Sequence, residues 1–301
     1  MSARPLLLLG ANGQLGRELR RALPALGPVV AVGRAALDLR DGDAVREMVR
    51  AAAPGAIVNA AAYTAVDRAE SERDAAWAVN ATAPAVLAEE ARRVDAALVH
   101  YSTDYVFDGT ASRPYAEDAP TGPRNVYGAS KLAGEEAVRG AWGRSLVLRT
   151  AWVYAAAGRS FVDTMVRLAD EGREVVRVVD DQRGAPTPAG WLADATVTVL
   201  RAALAHEAGW GTYHLAAAGE TTWHDVAAAI FADRARRGLP APALERISTA
   251  EFGAPAARPA YSVLDTTRAR GAFGVEPPHW ADALAAVLDA RPGPALRPAL
   301  R

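Results

Sequence analysis

Tyr127 and Lys131 stand four residues apart, and Lys131 is the only lysine in a chain that holds 34 Lys and Arg residues together. On a helix that spacing puts both side chains on one face, one turn apart. A composition so biased writes a surface cation as Arg by default, so the one lysine needs its own reason. Guanidinium is planar and keeps its proton, whereas an ammonium is a compact charge with three rotatable donors. A phenol beside an ammonium is a proton-transfer pair. Free tyrosine titrates near pH ~10, and an adjacent cation favours phenolate and pulls that value toward neutrality, where a general acid or base works best. The same spacing also describes an ordinary helix-surface pair, and the lone lysine favours the chemical reading.

A hydroxyl that could join this pair comes from Ser102-Thr103, just past the apolar run Ala97 to Tyr101. Carbonyl reduction needs one group to hold the oxygen, one to protonate it and one to tune the second. Thr103, Tyr127 and Lys131 fit those roles. A hydride source is suggested at the other end of the sequence. Gly10-Ala-Asn-Gly13-Gln-Leu-Gly16 follows the apolar run Leu6 to Leu9 and opens a segment, Arg17 to Leu23, with helical periodicity. Strand, glycine turn and helix in that order allow a tight turn, close approach of a diphosphate to backbone, and a helix N-terminus facing the anions.

The elements that must hold these residues follow from hydrophobic pattern. Pro28 to Val32 reads as the next strand and ends in Gly33-Arg34. An acidic residue at this position reads the ribose of NAD, whereas an Arg accommodates the extra phosphate of NADP. Arg34 therefore suggests NADPH, with an exposed arginine in an arginine-rich chain as the plain alternative. Asp41 or Asp43 can cap a helix through Val45, Met48, Val49 and Ala52. Ala56 to Asn59 is a further strand, and Ala60, Ala61 and Ala62 beyond it leave room for a ligand. Ser71 to Val94 is helical, with an interruption near Asn80 to Pro84 that proline forces. Asn125 is the expected cap of the helix carrying Tyr127 and Lys131. Strand and helix alternate four times in about 100 residues, the signature of a parallel sheet with helices on both faces. In the second half, Ser145 to Arg149, Val175 to Val179 and Thr212 to Leu215 read as strands. Phe161 to Asp170, Gly190 to His206 and Trp223 to Arg236 read as helices.

The bulk numbers narrow the partners. With 301 residues, half of them hydrophobic and a formal net charge of −1, the chain suits a globular enzyme and offers no global field for nucleic acid or an anionic membrane. No cysteine is present, which excludes disulfides and thiolate chemistry. The five histidines lack the short pairings of a zinc site, so structural roles and no metal are expected. The apolar run at the N-terminus is too short for a signal-peptide core, and a cytoplasmic location is expected.

The glycine turn, the strand-end Ser-Thr and Tyr127-x-x-x-Lys131 together resemble the extended short-chain dehydrogenase/reductases that act on nucleotide sugars. Asn59-Ala-Ala-Ala-Tyr-Thr-Ala-Val-Asp67, Ser102-Thr-Asp-Tyr-Val-Phe-Asp-Gly109 and Arg149-Thr-Ala-Trp-Val-Tyr154 narrow this to a resemblance with the dTDP-4-dehydrorhamnose reductase family. Asp181-Gln-Arg-Gly-Ala-Pro-Thr187 and Arg258-Pro-Ala-Tyr-Ser-Val-Leu-Asp265 extend it, so that it runs from about Leu6 to about Leu288.

The resemblance implies an α/β fold: a Rossmann-type doubly wound parallel sheet with a smaller α/β substrate-binding domain. Residues 1–151 would bind NAD(P), with about 190–216 returning to that domain. Residues 152–189 and 217–290 would bind the sugar nucleotide, and the Pro/Arg-rich segment 291–301 would be a mobile tail. NADPH, with NADH as an alternative, would reduce the C4 ketone of dTDP-4-dehydro-6-deoxy-L-mannose to dTDP-L-rhamnose. Thr103, Tyr127 and Lys131 would be catalytic. Gly10, Asn12, Gly13, Gln14, Leu15 and Gly16 would meet the cofactor, as would Arg34, Asp38, Leu39, Ala60, Ala61, Ala62 and Tyr63, together with Tyr127 and Lys131. Val66, Asp104, Tyr105 and Trp152 would line the sugar pocket, and Arg258 would meet the diphosphate. Related 4,6-dehydratases resemble Thr-Asp-Glu where this chain has Thr103-Asp104-Tyr105, which argues against dehydration. Another nucleotide-sugar ketoreductase, an epimerase or a non-catalytic NADP-binding regulatory subunit remain as alternatives. A monomer or homodimer is expected. Gln14 stands where relatives with a metal-bridged dimer carry an acid, which argues against that bridge.

Overall fold

All four residues of Leu6–Leu9 are buried, and they divide between two cores: Leu6 and Leu8 in one, Leu7 and Leu9 in the other. A strand with apolar neighbours on both faces reads as an uninterrupted apolar run, which is what the sequence holds there. The computed structural model describes residues 4–291. Its first half runs β1 (Leu6–Leu9), α1 (Gln14–Ala22), β2 (Val29–Val32), α2 (Gly42–Ala52), β3 (Ala56–Asn59), α3 (Val66–Ala69), α4 (Arg73–Trp77), α5 (Ala83–Arg93), β4 (Ala97–Thr103), α6 (Val126–Ala141) and β5 (Ser145–Thr150). There follow β6 (Val153–Tyr154), α7 (Phe161–Asp170), β7 (Val175–Val179), β8 (Arg183–Gly184), β9 (Thr187–Pro188), α8 (Ala189–His206) and β10 (Gly211–His214). The last stretch holds β11 (Thr221–Thr222), α9 (Trp223–Arg236), β12 (Ala243–Ile247), α10 (Thr249–Phe252), α11 (Thr267–Phe273) and α12 (Trp280–Asp289).

Six strands form one parallel sheet in the order β10-β5-β4-β3-β1-β2. One face is covered by α1 and α8 through Leu19, Leu192, Val199 and Leu200, the other by α2, α5 and α6 through Val45, Leu87 and Val138. The chain leaves β1 toward β2 and then crosses to β3 on the other side. Beyond the strand ends, this reversal opens a crevice where doubly wound sheets bind ligands. A third core, with Val162, Met165, Val178, Ile230 and Leu284, packs α7, α9 and α12 around the parallel pair β7–β12.

Local chemistry sets the element ends. Asp41 caps α2 by accepting from the Asp43 and Ala44 amides, and Ala53 closes it in the left-handed region ahead of Pro54. The interruption expected near Asn80 is a π turn over Ala78–Thr82 rather than a break. Pro84, at the second position of α5, has no N–H to donate within this continuous helical run, and the helix nonetheless continues past it from the wider π turn. The extra residue of the π turn lets Asn80 point inward. It accepts the Tyr63 amide at 2.8 Å and donates to the Tyr63 carbonyl at 3.0 Å and to Ser130 Oγ at 3.1 Å. Asn80 thereby clamps the loop after β3 to α6.

A buried bidentate pair fixes α6 to the sheet: Arg149 Nε and Nη2 on β5 meet Glu135 Oε1 and Oε2 at 2.9 and 2.7 Å. Arg139 adds a third contact to the same carboxylate at 2.8 Å, and together the arginines hold Glu135 below the usual range against the cost of burial. The helix that carries Tyr127 and Lys131 is a rigid mount for this reason. The expected mobile tail falls, from residue 292 onward, outside the described residues. Arg291 itself is ion-paired with Asp163 at 2.8 Å. Among the described residues no helix is long and apolar enough to cross a membrane.

Candidate active site

A cavity of about 640 Å³ opens at the C-terminal ends of β1, β3, β4 and β5. Every candidate residue drawn from the sequence lines it except Gly16 and Arg258. Gly10 has a φ of +76° and packs so closely on the end of β3 that a Cβ there would lie 2.6 Å from the Ala61 nitrogen. A Cβ on Gly16 would lie 2.0 Å from the Gly10 carbonyl oxygen, so Gly16 acts behind the turn, seating α1 against it. Gly13 caps α1 without a side-chain hydrogen bond, leaving the helix N-terminus open toward the cavity. Bare backbone donors at a helix N-terminus fit a diphosphate, and the donor set here fits a dinucleotide.

At the far end Arg34 is exposed beside Asp38 and Arg40. Arg40 Nε meets Asp38 Oδ2 at 2.9 Å and holds that carboxyl down to about 2. Asp38 is thus already neutralised by its neighbour, and Arg34 adds positive charge to the rim. Val32, Leu37 and Arg40 also line this end. Val32 closes β2, whereas Leu37 and Arg40 lie between β2 and α2, where no periodicity marks them.

The chemical cluster sits where β4 ends. Thr103 caps the short turn Asp104–Val106, accepting the Tyr105 amide at 3.2 Å and donating to Asp104 Oδ1 at 2.9 Å. A substrate oxygen must therefore compete with Asp104 for the Thr103 proton. The Tyr127 ring meets Tyr105 edge to face at 5.5 Å. Burial pushes the Tyr127 phenol up, with the Thr103 hydroxyl acting the other way. The expectation that Lys131 would draw it down is not met in this geometry. The ammonium is turned to the sheet, where Nζ donates to the Tyr101 carbonyl at 2.5 Å and lies 3.2 Å from His100 Nε2. Lys131 is only 2% exposed, and burial lowers it to about 8, opposed by Glu135.

Asp104 is buried, and its Oδ2 accepts no hydrogen bond from any described residue. Burial pushes its carboxyl up to about 6, opposed in part by the nearby hydroxyls of Ser262 and Thr103. Because the folded value lies above the unfolded one, stability is full below about pH 4 and is lost as pH rises through about 6. Asp104→Asn should therefore gain on the wild type by up to roughly 3 kcal/mol between pH 4 and pH 8. Denaturant melts at both pH values test this, and a pH-independent difference would show that the carboxyl ionises freely.

Trp152 lines the cavity with a φ of +49°, stacks on Trp223 at 3.6 Å and packs its indole closely on Gly184. Strain in a non-glycine residue is sustained by this packing. Trp223, from the helix expected at 223–236, also lines the cavity and was not marked as a site residue. No local motif distinguishes it from core. Arg258 stands just behind the lining: it pairs with Asp67 at 2.7 Å and lies against Tyr105, which does line the cavity, so a diphosphate would have to compete with Asp67 for its guanidinium. Among the described residues, one group has metal-ligand spacing, Asp180, His224 and Asp225, and Arg246 inserts its guanidinium against both aspartates.

The family described as "RmlD substrate binding domain" matches residues 4–291. A Burkholderia thailandensis protein named dTDP-4-dehydrorhamnose reductase is 49% identical over 91% of this chain and 95% of its own. A Streptomyces antibioticus protein named probable dTDP-4,6-dihydroxy-2-methyloxan-3-one 4-ketoreductase is 48% identical over 88% of each. The crystal structure of dTDP-4-dehydrorhamnose reductase from Bacillus anthracis in complex with NADP superposes with a TM-score of 0.87 at 36% identity, covering 95% of this chain and 99% of that one. With a family match across all the described residues and relatives of this identity, the chain belongs to the RmlD family, that of the dTDP-4-dehydrorhamnose reductases.

Proposed function

We propose that the protein uses NADPH to reduce the C4 ketone of dTDP-4-dehydro-6-deoxy-L-mannose, giving dTDP-L-rhamnose. The observation that carries this reading is that Thr103, Tyr127 and Lys131 share one cavity with the open N-terminus of α1 and the glycine turn. The cofactor supplies the hydride when bound. Gly10, Gly13 and Gln14 would hold its diphosphate, and Lys131 its nicotinamide ribose. Thr103 positions the ketone oxygen, and Tyr127 delivers the proton to it. Val66, Tyr105 and the Trp152–Trp223 stack form the wall on which the sugar would lie, beside the third core at residues 152–189 and 217–290.

Tyr105 stands where dehydration would need a second carboxylate, which favours simple reduction. The Streptomyces antibioticus relative supports a second reading, a ketoreductase for another dTDP-linked deoxysugar. Adding the dTDP-keto sugar and following NADPH absorbance tests the proposal. Stoichiometric oxidation to dTDP-L-rhamnose is expected. No net oxidation, with tightly retained cofactor, would point to an epimerase.

Cofactor preference is assigned to Arg34. Arg34→Ala should lower kcat/KM for NADPH by roughly tenfold, the scale of one partly exposed charge-assisted hydrogen bond, and leave NADH unchanged. An unchanged ratio between the two cofactors would make Arg34 an ordinary surface residue.

A further inference from the structure

The parallel register of β3 and β4 places Asn59 directly beside His100, both of them buried. Three contacts run in line from this pair. The Ala61 amide donates to Asn59 Oδ1 at 3.2 Å, Asn59 Nδ2 lies 3.2 Å from His100 Nδ1, and His100 Nε2 lies 3.2 Å from Lys131 Nζ. The first contact fixes the amide, because only its oxygen can accept from a backbone N–H. The Asn59 NH₂ group then faces His100, so Nδ1 must be the acceptor. Burial, and then the charge of Lys131, hold His100 well below its ordinary value, so the ring is neutral. A neutral ring that accepts at Nδ1 carries its proton on Nε2, and that N–H points at Lys131. Two donors then meet whenever the lysine is an ammonium. A neutral amine accepts the proton, and every group in the line is satisfied.

We propose that Asn59, by fixing the His100 proton on Nε2, makes His100 a positioning residue that hydrogen-bonds the neutral amine of Lys131 and thereby sets how readily this lysine gives up and regains a proton. Other charges around Lys131 do not supply the effect. Glu135 on the same helix acts the other way, favouring the ammonium, and is shared with Arg149 and Arg139. Asp104 and Tyr105 follow β4, Tyr127 lies one turn away on α6, and Glu70 faces the helix start through the Val126 amide. None of these lies in the line from Ala61 to Lys131. A lysine that exchanges its proton near neutrality can refill an acid such as Tyr127 between turnovers. That use rests on the reduction proposed above.

The test reads the protein without cofactor or substrate, so its failure and the failure of the reduction are distinguishable. Lys131 is the only lysine, so labelling with lysine carrying ¹³C at Cε gives one titrating signal. Nitrogen-detected imidazole spectra, with His100 assigned by His100→Phe, should show its proton on Nε2 in the wild type. A proton on Nδ1 overturns the proposal without any variant. Asn59→Asp offers an acceptor to Nδ1, so the proton should move to Nδ1, and the Lys131 midpoint should rise by at least about one pH unit, a tenfold change in proton affinity. The added carboxylate acts by charge as well, and the same substitution in the His100→Phe background isolates that part. There the rise should fall to less than about a third of its size in the wild-type background. An equal rise in both backgrounds means charge alone, and the proposal fails.

Discussion

Tyr127→Phe should fold and bind the dinucleotide but lose at least ~100-fold in turnover, the scale of general acid catalysis. The variant keeps the ring, and with it the edge-to-face contact to Tyr105 at 5.5 Å. Only the hydroxyl is removed. Burial favours the protonated phenol, which suits a group that must arrive at the reaction holding a proton. The loss should appear in kcat and in kcat/KM alike, because the proton moves only in the transition state. Cofactor affinity, read by fluorescence quenching, should stay near the wild-type value. Near-normal turnover would remove Tyr127 from the mechanism and leave Asp104, with its raised carboxyl in the same cavity, as the acid to examine next.

What the sequence made legible was whatever depends on burial along a single element. β1, β3, β4 and β5 are fully buried and read as apolar runs. Asp41 and Asn125 are caps whose partners lie two or three residues away. β12 was missed because its pattern is mostly exposed, with Glu245 and Arg246 in the strand, and because β7 pairs with it across more than sixty residues of chain. In the site, the glycine turn and the Tyr127, Lys131 spacing are local and visible. The link from Lys131 to His100 and Asn59 is set by the register of β3 on β4, which no spacing encodes. Arg258 is another long-range case: a cation within a recognisable motif pairs with Asp67, nearly two hundred residues away, a contact no spacing encodes.

Lys131→Arg keeps the charge and should still lose roughly tenfold to 100-fold in turnover, because the site needs an ammonium's shape and its ability to titrate. Lys131 is 2% exposed and its Nζ is wedged between the Tyr101 carbonyl and the His100 ring, at 2.5 and 3.2 Å. A guanidinium is larger, planar and unable to give up its proton, so it must displace the ring or withdraw toward the cavity. Overpacking of this kind costs about 1–3 kcal/mol, which a denaturant melt would register as a lower midpoint. Withdrawal would place a permanent cation where the nicotinamide ribose is expected, and single-turnover kinetics would show a slowed chemical step rather than slowed release. Both outcomes separate the ammonium from mere charge. Full activity with unchanged stability would mean that any cation serves at this position. The one lysine in a chain that otherwise writes its cations as arginine would then carry no chemical meaning.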